Sequence, residues 1–199
     1  MSDLNALRRN LRARRRGLTR AQQRRAAQRL LRILVRTPAF RRSRHIACYF
    51  PADGEIDPRP IMRYAWQSGR QCYVPILRAG RRLRFAPVAP AARLVRNRLN
   101  ILEPAGPYTT VAARELDLIL MPLVAFDSHG QRLGMGGGYY DRTLAFLHRR
   151  ARVKPRLVGL AHEFQRVEKL PAHTWDVRMH AVATDRRFDT LSRTRVFAP

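Results

Sequence analysis

The sequence predicts an α/β protein: a mostly parallel sheet flanked by helices as a three-layer sandwich, in a single domain over residues 1–199. Three observations carry this. Apolar runs of strand length recur between His45 and Thr184. Segments with helical spacing precede and separate them, the pattern of βαβ units. A chain of 199 residues suits one domain able to bury most of its apolar surface without disulfide or metal staples.

The N-terminal part, residues 1–44, is expected to form basic helices packed on that domain. Leu4, Leu7 and Leu11, and later Leu30, Leu31, Leu34 and Val35, fall at helical spacing. Gly17 interrupts the run, Thr19 with Gln22 forms a capping box that starts a second helix, and Pro38 is expected to end it. The arginines are expected on the wet faces. Strands are predicted at His45–Phe50, Gln71–Leu77, Leu83–Val88 (antiparallel or edge), Asp117–Phe126 (central), Arg156–Ala161 and His180–Thr184. Asp57 is expected to cap a helix with Pro58 at its first position and Gly69 at its close. A further helix is expected from about Tyr139 to Arg150. The loop-rich stretch Ala89–Thr110 is expected to cover the sheet edge or a pocket.

Lys plus Arg number 40 against 14 Asp plus Glu, a formal net charge of +26, and no carboxylate occurs from Leu4 to Arg44. Such a charge attracts polyanions or phosphate- and carboxylate-bearing small molecules. Part of the surplus is equally explained by a general preference for Arg. Cys48 and Cys72 lie in apolar runs without metal or disulfide spacing, and read as buried thiols of a reducing compartment. No apolar stretch is long enough to span a membrane and no apolar signal core opens the chain, so a cytoplasmic protein is expected. The scattered histidines form no zinc motif, and no serine nucleophile motif is present.

The most informative segment runs from Pro122 to Leu144, PLVAFDSHGQRLGMGGGYYDRTL, as strand, loop and helix. Gly134, Gly136, Gly137 and Gly138 leave backbone N–H groups free to approach a ligand, and a helix N-terminus at the same place favours an anion. The spacing fits neither a Walker loop nor G-x-G-x-x-G, so the loop is either a different phosphate cradle or a tight turn. Arg132 can fork onto a phosphate. Asp141 beside an anion site suits an intervening magnesium ion, or else simply complements the helix dipole. Asp127 is read as a loop cap. At the exit of the first strand, Glu55 follows the Asp53-Gly54 turn, where it either meets an amide-like heterocycle edge or is a solvated loop carboxylate. Asp176, in LPAHTWD, either supplies a second acidic contact to a metal or caps a turn.

These residues resemble the 5-formyltetrahydrofolate cyclo-ligase family. The long glycine segment looks like its signature, and ALRRNLRARR, YFPADGEID, LNILEPAG, VGLAHEFQ and LPAHTWD follow in the family's order over nearly the whole chain. The resemblance implies a reaction in which ATP, with Mg2+, converts 5-formyltetrahydrofolate to 5,10-methenyltetrahydrofolate, ADP and phosphate. It implies nucleotide contacts from Leu4, Asn5, Ala6, Leu7 and Arg8, and from Arg132, Leu133, Gly134, Met135, Gly136, Gly137, Gly138, Tyr139 and Tyr140. It implies folate contacts from Phe50, Glu55, Met135, Gly136, Gly137, Gly138 and Tyr139, magnesium on Asp141 and Asp176, and catalytic roles for Arg132 and Tyr139. Leu4 and Asn5 stand where the family often has a lysine, and Gly137 where some members carry a basic residue, so Arg132 bears more of the phosphate charge. A monomer is expected. The alternative reading is an RNA-binding protein using the Arg-rich helices, although no aromatic residues are interleaved with the arginines for base stacking.

Overall fold

The computed structural model describes residues 2–97, 101–148 and 154–191. Helix α1 (Ser2–Arg16) ends at Gly17, and α2 (Arg20–Leu34) begins with the expected capping box. Thr19 Oγ1 accepts from the Gln22 N–H at 3.2 Å, and the Gln22 side chain accepts from the Thr19 N–H at 2.8 Å. Pro38 does not stop α2. That helix has already ended, and Pro38 opens the short α3 (Pro38–Arg41) behind the Thr37 cap, at a position where its missing N–H costs nothing.

After β1 (His45–Ala47) comes α4 (Arg59–Gln67), which starts one residue beyond the expected place. Pro58 is its cap, and Asp57 Oδ1 accepts from the Arg59 N–H at 2.9 Å. Gly69 closes the helix as expected, at φ 71°. Strands β2 (Gln71–Arg78) and β3 (Arg82–Val88) form the longest antiparallel pair. Within residues 89–110, β4 (Leu94–Arg96) and β5 (Leu102–Pro104) make a small ribbon, and β5 packs on β2 and β3. Leu99 and Asn100 of the LNILEPAG segment lie outside the described residues.

The run 117–126 divides in two. Strand β6 (Leu118–Pro122) is indeed central, but Pro122 has no N–H to continue a ladder, and the chain leaves the sheet. β7 (Ala125–Phe126) then pairs with β8 (Arg132–Leu133) as a separate hairpin. The expected helix over 139–150 is α5 (Tyr139–Leu144), continued by a 3-10 turn over Ala145–His148; Arg149 and Arg150 lie outside the described residues. β9 (Arg156–Ala161) matches the expected bounds, and β10 (Ala181–Thr184) and β11 (Phe188–Thr190) complete the sheet.

The sheet order is β11-β10-β9-β6-β1-β2-β3. The five strands from β10 to β2 are mutually parallel, and β11 and β3 are antiparallel edges. Alternate residues face opposite sides, as the two-residue period of a strand requires. Ile46, Leu118, Leu120, Val158 and Leu160 share one apolar cluster with Leu30 and Leu34 of α2 and Ile61 and Met62 of α4. Ala47, Ile119, Met121, Leu157 and Val182 face the other way, onto Leu116, Leu144 and Leu147. Cys48 and Cys72 are buried free thiols, as expected.

Helix α1 lies at the carboxyl edge of the sheet, with Leu4, Leu7 and Leu11 against Val124, Ala125, Leu133 and Leu170. One arginine departs from the expected wet face. Arg15 continues the stripe of Leu4, Leu7 and Leu11, and its side chain is 0% exposed. Its guanidinium donates to Leu123 O at 3.1 Å and to Asp53 Oδ2 at 2.8 Å.

Candidate active site

The first strand of the chain to enter the sheet, β1, is followed by β2 on one side, and β6 is later inserted on its other side. The carboxyl ends of β1 and β6 therefore mark a topological switch point, where open α/β sheets bind ligands. A cavity of about 670 Å³ sits there. The chain leaving β1 contributes Tyr49, Phe50, Asp53 and Glu55, and the chain leaving β6 contributes Pro122 and Leu123. The glycine loop supplies every residue from Arg132 to Asp141, and the loop before β10 supplies His173, Trp175 and Asp176.

Of the expected N-terminal contacts, Leu4 and Arg8 line the cavity. Asn5, Ala6 and Leu7 do not: Asn5 Oδ1 accepts from Arg8 Nη1 at 2.8 Å, and Leu7 packs into the cluster beneath α1. Arg8 Nε donates to Gly134 O at 3.0 Å, tying α1 to the glycine loop.

The other end of α1 is tied to the turn that carries Glu55. Asp53 accepts from three guanidiniums: Arg12 Nε at 2.7 Å and Arg15 Nη2 at 2.8 Å on Oδ2, and Arg16 Nη1 at 2.8 Å on Oδ1. Partial burial pushes the Asp53 pKa up, but the arginine hydrogen bonds prevail and hold it well below the usual carboxylate range. Asp53 and Gly54 both have positive φ, 50° and 73°. Gly54 is required for a second reason. A Cβ there would stand 2.7 Å from the Arg15 carbonyl and 2.9 Å from Arg16 N, so no larger residue lets α1 come this close. Nothing in the sequence pattern singled out Asp53 beyond its turn.

Glu55 is largely buried: its side chain is 14% exposed. Oε2 accepts from the Ala52 N–H at 3.1 Å, while Oε1 has only a 3.9 Å approach from Arg15. Burial raises its pKa, the Asp53 charge adds to the rise, and the Ala52 N–H and the charges of Arg15 and Arg12 oppose it. A buried carboxylate with unused acceptor capacity, on a cavity wall, suits a ligand that offers N–H groups. The solvated-loop reading of Glu55 is thereby excluded. Tyr49 OH donates to Ile56 O at 2.9 Å and shapes the same turn.

The glycine loop ends in Gly138, left-handed at φ 65°, which caps α5 without any side-chain hydrogen bond. Its amides therefore stay available, although α5 is too short for its dipole to dominate. Arg132, whose side chain is 7% exposed, donates to Asp141 Oδ1 at 2.5 Å and to Val177 O. The fork expected to meet phosphate is thus engaged in holding Asp141 and the loop before β10. Asp141 Oδ1 also accepts from the Val177 N–H at 3.2 Å, which places Asp141 beside the chain segment of Asp176. Asp176 Oδ2 accepts from the His173 N–H at 2.9 Å. Asp127 is a fully buried cap, accepting from the His129, Gln131 and Leu170 N–H groups, as its loop position predicted.

Asp141 and Asp176 are the cavity's candidate donors to a cation. Asp141 Oδ2 has no partner among the described residues, and Asp176 lines the same cavity. Two hard oxygen donors without a complete protein cage fit a Mg2+ ion that keeps water and phosphate oxygens in its shell. Residues not anticipated complete the walls, among them Pro75, Leu77 and Leu83 from β2 and β3, and Ile101. Met135 and Trp175 are exposed at the cavity, 55% and 65%, a surface suited to a flat aromatic ligand. A separate groove of about 560 Å³ between α2 and the ends of β9 and β10 gathers Arg14, Arg25, Arg29 and Arg186, with Glu163 and Asp185.

A deep cavity with convergent polar groups at the switch point of a parallel sheet defines an α/β enzyme. Comparison with known proteins gives its family. Residues 1–185 match the model of the 5-formyltetrahydrofolate cyclo-ligase family, and the chain belongs to that family. It is 40% identical over 177 residues to the 5-formyltetrahydrofolate cyclo-ligase of Escherichia coli K12, covering 87% of this chain and 96% of that one. It is 36% identical over 174 residues to the Haemophilus influenzae protein of the same name, covering 86% and 91%. The structure superposes on an Aquifex aeolicus 5,10-methenyltetrahydrofolate synthetase with a TM-score of 0.80 at 31% identity, over 98% of this chain and 96% of that one. No helix among the described residues is long and apolar enough to cross a membrane.

Proposed function

We propose that this chain is a single catalytic domain that uses Mg-ATP to convert 5-formyltetrahydrofolate to 5,10-methenyltetrahydrofolate, releasing ADP and phosphate. The observation that carries this reading is the two-ended cavity. A buried carboxylate, Glu55, stands at one end, and the glycine loop with Asp141 and Asp176 at the other. Both ends are braced by one helix, through Asp53 and through Gly134.

In this reading the pterin lies on Phe50 with its N–H edge on Glu55, and the triphosphate lies along Gly134–Gly138 with α1 beside it. Met135 to Tyr139 face both substrates. The formyl oxygen attacks the γ-phosphorus and ADP leaves. The neighbouring nitrogen of the folate then attacks the formyl carbon, loses its proton, and phosphate departs with the former formyl oxygen. No covalent bond to protein forms, so the chain contributes positioning and charge neutralisation. Asp141 and Asp176 would hold the magnesium ion, which would neutralise the phosphate oxygens. Arg132 holds Asp141 in place and adds its charge beside the loop, and Tyr139 stands nearest the reacting atoms. The two free buried thiols suit a reducing cytoplasm.

The test is an absorbance assay for the methenyl chromophore with purified protein, 5-formyltetrahydrofolate and Mg-ATP. Product is expected only with all components present. Absence of product with the complete mixture contradicts the proposal.

A further inference from the structure

The positive charge of the chain is not spread evenly. Residues 1–44 hold fifteen arginines and one carboxylate, Asp3, so more than half of the net charge of +26 falls in less than a quarter of the sequence. A general preference for Arg acts on every segment alike and does not explain the missing carboxylates. The proposed reaction uses little of this charge, because Arg8 is the one arginine of that region that lines the active-site cavity.

The unused charge converges on the groove beside α2, and it comes from three separate segments. Arg14 is supplied by the end of α1, Arg25 and Arg29 by α2, and Arg186 by the turn between β10 and β11. All four are exposed. Arg14 is held by a ring and not by a carboxylate, its guanidinium lying 4.3 Å from the centre of Phe164. The two acidic residues of the groove are engaged elsewhere. Glu163 pairs with Arg166 at 2.9 Å and Arg187 at 2.6 Å, and Asp185 Oδ1 accepts from the Glu163 N–H at 2.9 Å. No carboxylate among the described residues forms an ion pair with Arg25, Arg29 or Arg186. Arg32 shares the face of Arg25 and Arg29 and carries the row beyond the groove. Like charges three and four residues apart on a helix repel, so α2 carries a row that an external polyanion would stabilise.

The shape and chemistry of the surface select among polyanions. A single small anion meets part of the row, whereas a backbone of regularly spaced phosphates meets all of it. Unpaired bases need free aromatic rings to stack on, and Phe164 is already stacked with His162 and covered by Arg14. The opposite face of α2 is packed on the sheet through Leu30 and Leu34, so the helix cannot sink between base pairs and meets a duplex at its phosphates. Gln22 lines the groove beside Arg25. Its side-chain oxygen is engaged in the capping box, and its amide N–H groups remain to donate, as contact with a ribose hydroxyl requires.

We infer that the α2 groove and the arginine row along it form a docking surface for the phosphate backbone of double-stranded RNA, held by charge and shape without reading the bases. RNA contact is then a second property of the chain beside its proposed catalysis, and it does not depend on that proposal.

The test is fluorescence anisotropy with a short labelled RNA duplex, titrated at salt concentrations from about 50 to 200 mM. Wild type is expected to bind at low salt, with affinity that falls steeply as salt rises. The triple variant Arg25→Gln, Arg29→Gln, Arg32→Gln is expected to bind at least about tenfold more weakly at low salt, with the salt slope reduced by roughly three. Arg186→Gln, from a different segment, is expected to reduce the slope by roughly one. A control triple variant, Arg78→Gln, Arg81→Gln, Arg82→Gln, removes the same charge from the exposed turn between β2 and β3 and should leave the slope in place. The melting temperature of the α2 variant is expected to equal or exceed that of wild type, since repulsion is relieved. No binding by wild type at low salt overturns the inference. Equal losses in the two triple variants also overturn it, because net charge alone would then suffice, as does tighter binding to a DNA duplex or to a single strand of the same length.

Discussion

Removing the Asp53 carboxylate tests whether α1 is clamped across the cavity as the structure indicates. The perturbation is Asp53→Ala. Three ion pairs vanish, but they are unequal. The Arg12 and Arg16 side chains are 35% and 53% exposed, and such pairs contribute at most about 1 kcal/mol each. Arg15 is 0% exposed, and stranding its guanidinium leaves a buried charge with only Leu123 O and a distant Glu55. Breaking a buried pair costs about 3–5 kcal/mol, and the remaining partners place Arg15 at the low end, about 3 kcal/mol. For a chain of this size that lowers the melting temperature by roughly 6–12 °C. Calorimetry of wild type and variant reads it directly, and limited proteolysis should show earlier cleavage in α1. The pH sign follows from the lowered Asp53 pKa. Its stabilisation is complete above the unfolded value near ~3.9 and is lost as pH falls through the lower folded value, so wild type should lose in acid an advantage the variant never had. A shift below about 2 °C, with unchanged acid sensitivity, refutes the clamp.

Gly54→Ala combines a positive φ with a Cβ forced against the backbone of Arg15 and Arg16, and should cost at least about 1–3 kcal/mol in urea unfolding while undocking α1; wild-type stability would show that the turn yields. Asp141→Asn should abolish Mg-ATP-dependent turnover, by more than about a hundredfold, with circular dichroism unchanged; full activity would remove the metal assignment. Glu55→Gln should act in opposite directions on stability and binding. Burial raises the folded pKa of Glu55, so its contribution to stability is present at acid pH and is lost as pH rises through that value. At neutral pH the ligand-free variant should therefore melt higher than wild type, and its binding of folate should weaken more than its binding of ATP; a lower melting temperature would contradict the burial account.

Much of the sheet was legible because its strands are continuous apolar runs, and β9 was read to the residue. The capping box of α2 was legible because two side chains three residues apart suffice to form it. What escaped depended on contacts distant in sequence. Arg15 occupies the place that a fourth leucine would take on the α1 stripe, and only the later Asp53 and Leu123 make its burial tolerable. Pro38 was read as a stop although proline equally opens a helix, and Pro122 divides a run whose hydropathy is unbroken. The glycine loop, Glu55, Asp141 and Asp176 were all singled out from local pattern, and the fold brings them to one cavity. The engagement of Arg132 with Asp141 and Val177 became visible only with side chains in place.

The most direct measurement is an amide 1H–15N correlation spectrum of the labelled protein titrated with Mg-ATP and, separately, with 5-formyltetrahydrofolate. Mg-ATP should move the amides of Gly134, Gly136, Gly137 and Gly138 and leave those of α2 in place, and the folate should move Ala52 and Glu55. Glycine-loop amides that stay still under saturating Mg-ATP would contradict the account.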